Sequence, residues 1–112
     1  MSGRSPTQSS LAALRAQGYA CWIVEHWNSY TRRREDLFNA WDILAVGNGE
    51  TLAVQTTSAS NVSARVRKIA DNEYTAELRK SGWRLEIHGW RKRKVKRGGK
   101  AERWVCRVVD VS

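Results

Sequence analysis

The apolar positions along the chain change period several times, and each change marks an element. Ser5-Pro6-Thr7-Gln8 joins a cap residue to a proline at the first helical position, with a glutamine three after the serine, which is the pattern of a capping box. Leu11 and Leu14 continue at helical spacing and Gly18 supplies a stop, so a helix is expected over 6–17. Tyr19 to Trp27 is β-branched and aromatic and predicts a strand. Asn28 to Glu35 is polar, carries Arg32-Arg33-Arg34 and predicts a loop. Leu37–Val46 and Thr51–Thr57 read as a second and a third strand, joined through Asn48-Gly49, a strong short-range hairpin signal.

Beyond Ser58 the texture becomes helical. Ser60 is suited to cap a helix whose Val62, Val66 and Ile69 share one face, with Arg65, Arg67 and Lys68 largely on others. A further turn or two is expected from Glu73 to Lys80, before Gly82. In Trp83–Trp90 the residues Trp83, Leu85 and Ile87 alternate with Arg84, Glu86 and His88, and Arg103–Val111 reads as the last strand. The order is helix, three strands, helix, two strands. It predicts an α/β fold: a three-strand meander and a crossover helix, giving a mixed five-stranded sheet flanked by helices. With 112 residues and no linker, one domain over 1–112 is expected.

A two-residue Asn48-Gly49 turn pairs Gly47 with Glu50 and therefore sets Asp42 opposite Gln55. Both interrupt apolar strands, and burying either without a partner is costly. Two readings stay open: a hydrogen bond from the Gln55 amide to the Asp42 carboxylate, or a site for a hard cation such as Mg²⁺, for which both offer oxygen ligands. Alternation adds Thr51 and Thr57 to the Gln55 side, and Asp36 and Ala40 to the Asp42 side. Glu25, near the end of the first strand, is a third candidate ligand. His26 and His88 are either packing residues or general bases and phosphate donors.

Charge changes the picture of what the chain binds. Twenty Lys and Arg against 11 Asp and Glu give a net +9, which favours polyanions. Seven of the cations fall within Arg91–Lys100, namely Arg91, Lys92, Arg93, Lys94, Lys96, Arg97 and Lys100. Like charges so close repel one another until phosphates neutralise them, so a flexible basic flap is expected between the last two strands. Arg32, Arg33 and Arg34 would form a second contact with DNA backbone, and Arg65, Arg67 and Lys68 a third. Of the six tryptophans, Trp22, Trp41, Trp83 and Trp104 are expected in the core, while Trp27 or Trp90 is available to stack on unpaired bases. Cys21 and Cys106 have neither zinc spacing nor the number for a disulfide framework, and read as small core residues of a cytoplasmic protein.

The run Arg34-Glu35-Asp36-Leu37-Phe38-Asn39-Ala40-Trp41-Asp42-Ile43-Leu44-Ala45 resembles the motif strand of PD-(D/E)XK nucleases, in particular small phage and archaeal Holliday-junction-resolvase-like proteins. The resemblance continues through Val54–Thr57, Ser60–Arg65 and His88–Trp90, and spans roughly 19–90. It implies a restriction-endonuclease-like core, Mg²⁺ (or Mn²⁺) as cofactor, DNA as partner and, by analogy, a homodimer. Asp42 takes the position of the motif aspartate, Gln55 that of the second acid and Thr57 that of the lysine, with Glu25 completing the metal set. Gln55 and Thr57 depart from the motif. An amide oxygen still ligates a metal, whereas threonine leaves no cation to activate water. Three functions follow: a metal-dependent endonuclease for branched or otherwise structured DNA, a DNA-binding protein that keeps the fold without the chemistry, and a phage interaction or inhibitor protein.

Overall fold

The computed structural model describes residues 5–112. Helix α1 spans Pro6–Ala16; the Ser5 hydroxyl accepts the Gln8 amide at 3.2 Å, and Gly18 follows at φ 97°. The strands are β1 (Ala20–Ile23), β2 (His26–Asn28), β3 (Arg33–Glu35), β4 (Ile43–Gly47), β5 (Glu50–Ser58), β6 (Arg84–Lys94) and β7 (Glu102–Asp110). A 3-10 turn over Ala59–Asn61 leads into α2 (Val62–Asp71), and α3 is Thr75–Lys80.

Five strands form one mixed sheet in the order β1-β4-β5-β6-β7, and β2 with β3 forms a separate hairpin. The meander β1-β4-β5 is antiparallel, α2 and α3 carry the chain to β6 parallel to β5, and β7 returns antiparallel. This is the mixed five-stranded sheet expected. Asn48 (φ 52°) and Gly49 (φ 77°) adopt the left-handed conformations of a two-residue hairpin turn, and β4 and β5 pair from Gly47↔Glu50 to Ile43↔Val54. That register sends alternate residues to opposite faces. Ile43, Ala45, Leu52 and Val54 meet Leu11 and Leu14 of α1, while Ala53, Leu85 and Ile87 meet Val62, Ile69 and Leu78 of α2 and α3, together with Ala40 and Trp41. The result is a sheet between two helical layers.

Four expectations are corrected. The run 19–27 is not one strand: it breaks at Val24-Glu25, and the expected loop 28–35 contains β3, which pairs with β2. Leu37–Trp41 is not strand but a tight bend closed by a Leu37↔Trp41 bridge, because Phe38 (φ 51°) and Asn39 (φ 63°) both turn left-handed. Ser60 caps nothing: its hydroxyl lies 3.2 Å from that of Ser58, inside the 3-10 turn. The basic segment is no loose flap, since β6 and β7 stay paired as far as Lys94↔Glu102, and the Val95 amide donates to the Ala101 carbonyl beyond that pair.

Tryptophan placement also differs. Trp41 is buried and Trp83 half-buried against the α2–α3 core, but Trp22 is 75% exposed and Trp104 38%. Trp22 lies on the edge strand β1, on the face opposite Cys21 and α1, and Trp104 lies on the β6–β7 hairpin with Lys92 5.4 Å above its ring. Cys21 and Cys106 are half-buried rather than core, and burial pushes the Cys106 thiol up to about 11. No helix among the described residues is long and apolar enough to cross a membrane.

Gly89 marks where the second helical layer presses closest on the sheet. A Cβ there would collide with Val62 Cγ2 and sit 3.2 Å from Ala59 Cα. Gly89→Ala should cost about 1–3 kcal/mol through overpacking. Urea unfolding checks this; a change below about half a kilocalorie would mean that the turn before α2 gives way easily.

Candidate functional site: an acidic cleft at the end of the central hairpin

The bend at Phe38-Asn39 folds the chain back so that Asp36 joins Asp42, and the break after Ile23 brings in Glu25 from the end of the neighbouring strand. Glu25, Asp36 and Asp42 each offer a carboxylate oxygen, and these three atoms lie within 4.8 Å of one another. They line an open cleft of about 330 Å³ with Pro6 and Thr7 of α1, Gln55 and Thr56 of β5, Arg34 of β3 and Arg65 of α2.

Asp42 and Gln55 do share this cleft, and of the two readings the hydrogen bond between them is not formed. The β4–β5 ladder ends at Ile43↔Val54. There the Asp42 amide donates to the Val54 carbonyl (2.9 Å), and Asp42 Oδ2 accepts the Thr56 amide (2.8 Å) and the Thr56 hydroxyl (3.2 Å). The carboxylate thus takes over a strand N–H where the partner strand has bent away. Thr56 Oγ1 is in turn 2.8 Å from Thr7 Oγ1, tying the first turn of α1 to the site. Gln55 is 2% exposed, and its Oε1 is buried with no hydrogen-bond partner. An amide oxygen left so costs on the order of 1–3 kcal/mol.

Burial pushes the Asp42 carboxyl up to about 6; the two Thr56 bonds pull the other way, and the neighbouring Asp36 and Glu25 charges push it further up. Arg34 partly offsets the negative charge, its Nη1 standing 3.5 Å from Glu25 Oε1.

The remaining candidates separate. Thr57 is buried on β5 and does not line the cleft. Arg65 does line it, whereas Lys68 lies exposed further along α2, away from the lining. Arg32 and Arg33 are exposed on the β2–β3 hairpin. Arg91, Lys92, Arg93 and Lys94 stand on the outer part of β6, and Lys96 and Arg97 at its tip, all exposed and none in the cleft. His26 is exposed, 3.8 Å from Glu35. His88 is buried, with Nδ1 2.8 Å from Ser10 Oγ and Nε2 3.0 Å from Glu86 Oε1. Ser10 also accepts the Trp90 indole N–H at 2.8 Å, so both β6 residues are occupied in holding α1.

Thr56 lines the cleft without being singled out by the sequence pattern, which also leaves Asp36 out of the candidate metal ligands. Asp36 falls on the Asp42 side by alternation, but only the left-handed bend brings the two carboxylates together. Compared with protein-family models, curated proteins and solved structures, the chain matches none.

The Asp42 environment sets a pH dependence. As pH rises, the unfolded chain releases this proton near the ordinary value of 3.8, whereas the folded protein holds it to about 6. Between these values the folded state binds more protons, so stability falls with rising pH and the penalty persists above about 7. Its size is on the order of 2–3 kcal/mol. Asp42→Asn should remove this fall and, without divalent ions, leave the protein more stable than wild type at pH 7. Unfolding midpoints of both proteins from pH 4 to 8 test it: parallel curves would show that Asp42 titrates as it does in the unfolded chain.

Proposed function

We propose that this chain is a metal-dependent DNA endonuclease with a restriction-endonuclease-like core, related to the PD-(D/E)XK group through the motif around Asp42. The observation that carries the reading is the buried, unpartnered Gln55 Oε1 beside a cluster of three carboxylates. Carboxylates with a neutral amide oxygen are a hard-oxygen donor set, and a cation shared among them would relieve both the orphaned amide and the mutual repulsion. Glu25, Asp36, Asp42 and Gln55 would hold Mg²⁺ or Mn²⁺. When bound, such an ion supplies charge stabilisation at the phosphate and a water of lowered pKa.

The chain's own residues do the rest. Thr56 fixes the Asp42 carboxylate through two donors, and Glu25 holds Arg34 at the cleft. Arg34 and Arg65 are the cations that line the site, and they fill the electrostatic role left vacant by Thr57: attraction of a phosphate into a cleft that would otherwise repel it. Neither serves as a proton carrier, because arginine stays charged. The paired basic arm of β6 and β7 supplies contacts to DNA backbone outside the cleft.

A second reading, a DNA-binding protein that keeps the fold without the chemistry, draws on Thr57, which leaves the cleft without a lysine.

Cleavage of four-way junction, single-stranded and linear DNA with Mg²⁺, Mn²⁺ or EDTA separates the two. Wild type should cut at least one DNA with metal and none in EDTA. Asp42→Asn and Gln55→Leu should each lose metal binding by calorimetry, with DNA affinity in EDTA kept within a few fold. A wild type that binds neither ion and cuts nothing, yet binds DNA, would establish the silent reading.

The basic arm has its own test. Changing Arg91, Arg93, Lys94 and Lys96 to Gln should weaken binding to all duplex sequences alike. It should also flatten the plot of log K against log salt by roughly 0.9 for each phosphate that the arm no longer neutralises. An unaltered slope would remove the arm from the DNA interface.

A further inference from the structure

The β2–β3 hairpin is formed directly by the segments that build the acidic cleft: Glu25 precedes β2 and Asp36 follows β3. Its register pairs His26↔Glu35, Trp27↔Arg34 and Asn28↔Arg33. Directly opposed residues of an antiparallel pair share a face. One face is closed on itself, because Asn28 Nδ2 donates to Glu35 Oε1 at 2.9 Å and His26 stands beside the same carboxylate. The other carries Trp27 and Arg34, and Arg34 lines the cleft. Trp27 therefore stands opposite Arg34 on the hairpin face that borders the acidic cleft, outside its lining.

Its surroundings are unusual for a tryptophan. It is 61% exposed, and among the described residues no aromatic ring packs on it and no cation sits over its face. Trp90, the other candidate for stacking, is half-buried and held by Ser10. The hairpin is preset rather than loose: Asn28 Oδ1 accepts the amides of Tyr30 (2.9 Å) and Thr31 (3.3 Å), and the Arg32 amide donates to the Asn28 carbonyl at 2.7 Å. Three consecutive arginines, Arg32 to Arg34, share this small element with Trp27 and with Tyr30, which is 97% exposed.

An exposed aromatic face interleaved with cations is the chemistry that binds single-stranded nucleic acid. Arginines neutralise phosphate while a ring replaces the base stacking that a strand has lost. Duplex DNA offers the ring nothing, since its bases are already stacked. We infer that Trp27 is a stacking platform for an unpaired base of the DNA strand entering the cleft, so that the site selects DNA with unpaired nucleotides over continuous duplex. The inference rests on the proposed DNA-binding function and adds its substrate class.

The test is binding in EDTA, which is independent of metal and cleavage. Anisotropy of a labelled oligo(dT) and of a blunt duplex would be followed for wild type, Trp27→Ala, Trp27→Phe and Trp22→Ala, the last being an exposed tryptophan on β1 rather than on the β2–β3 hairpin. Losing one stacked base should weaken oligo(dT) binding by roughly 5- to 150-fold in Trp27→Ala. Trp27→Phe should recover most of that loss, Trp22→Ala should match wild type, and duplex affinity should move less than about twofold in all variants. Thermal unfolding of Trp27→Ala should match wild type, because the side chain is outside the core. Loss of oligo(dT) and duplex binding in equal measure, or no change at all, overturns the platform while leaving DNA binding intact. A wild type that binds neither DNA overturns the proposed function as well.

Discussion

The register of the β4–β5 hairpin is the constraint on which the rest of this structure depends. β5 is hydrogen-bonded on both sides, to β4 antiparallel and to β6 parallel, so any slip in β4–β5 would have to be accommodated by the whole sheet. Side chains alternate between faces, and a one-residue shift would expose Ile43, Ala45, Leu52 and Val54 to the wrong helical layer. Asn48 and Gly49 hold the register because a two-residue turn of this kind needs left-handed backbone at both positions, which these two residue types adopt at little cost. Once it is set, Asp42 and Gln55 are delivered together to the end of the ladder.

At that end the sheet fails locally, and the failure gathers the carboxylates. A second left-handed pair, Phe38-Asn39, folds the approach to β4 into a bend, so no backbone carbonyl stands opposite the Thr56 amide. The Asp42 carboxylate takes the vacant place. Phe38 contributes to holding the bend, its ring tilted against Tyr74 at 5.2 Å and edge-on to Trp83 at 6.1 Å, while Asn72 Nδ2 donates to its carbonyl. A carboxylate so placed is desolvated and crowded by Asp36 and Glu25, which stability alone would not favour. The strain is concentrated where the proposed function needs ligands, in keeping with the general tendency of functional sites to hold locally unfavourable arrangements.

The second polar centre contrasts with the first. Ser10, Glu86, His88 and Trp90 are linked by hydrogen bonds of 2.8–3.0 Å, and each buried donor and acceptor there has a partner. Ser10 is fully buried, so the Ser-His-Glu sequence of contacts cannot meet a substrate; it fastens α1 to β6. Completed polar networks lend specificity to packing, and an incomplete one leaves a buried polar group uncompensated. The orphaned Gln55 oxygen lies in the incomplete one.

The sequence by itself determined the order of the elements that build the main sheet, the capped first helix, the mixed five-stranded sheet and the central hairpin register, but not the β2–β3 hairpin. Each depends on interactions between residues close in the chain: alternation, helical spacing, and the turn chemistry of Asn48-Gly49. It also brought Asp42 and Gln55 to one cleft, although the ladder stops at Ile43↔Val54, one position short of pairing them. Tertiary structure decided the rest. Nothing local distinguishes Leu37–Trp41 from a strand, and only packing of Phe38 against residues far along the chain selects the bend that recruits Asp36. The depth of each tryptophan was likewise beyond local reading, since Trp22 and Trp41 both sit in apolar runs but only one lies beneath a helical layer. So was the fate of Thr57 and Arg65. Thr57 points into packed structure, whereas Arg65 of α2, set by how that helix crosses the sheet, reaches the cleft.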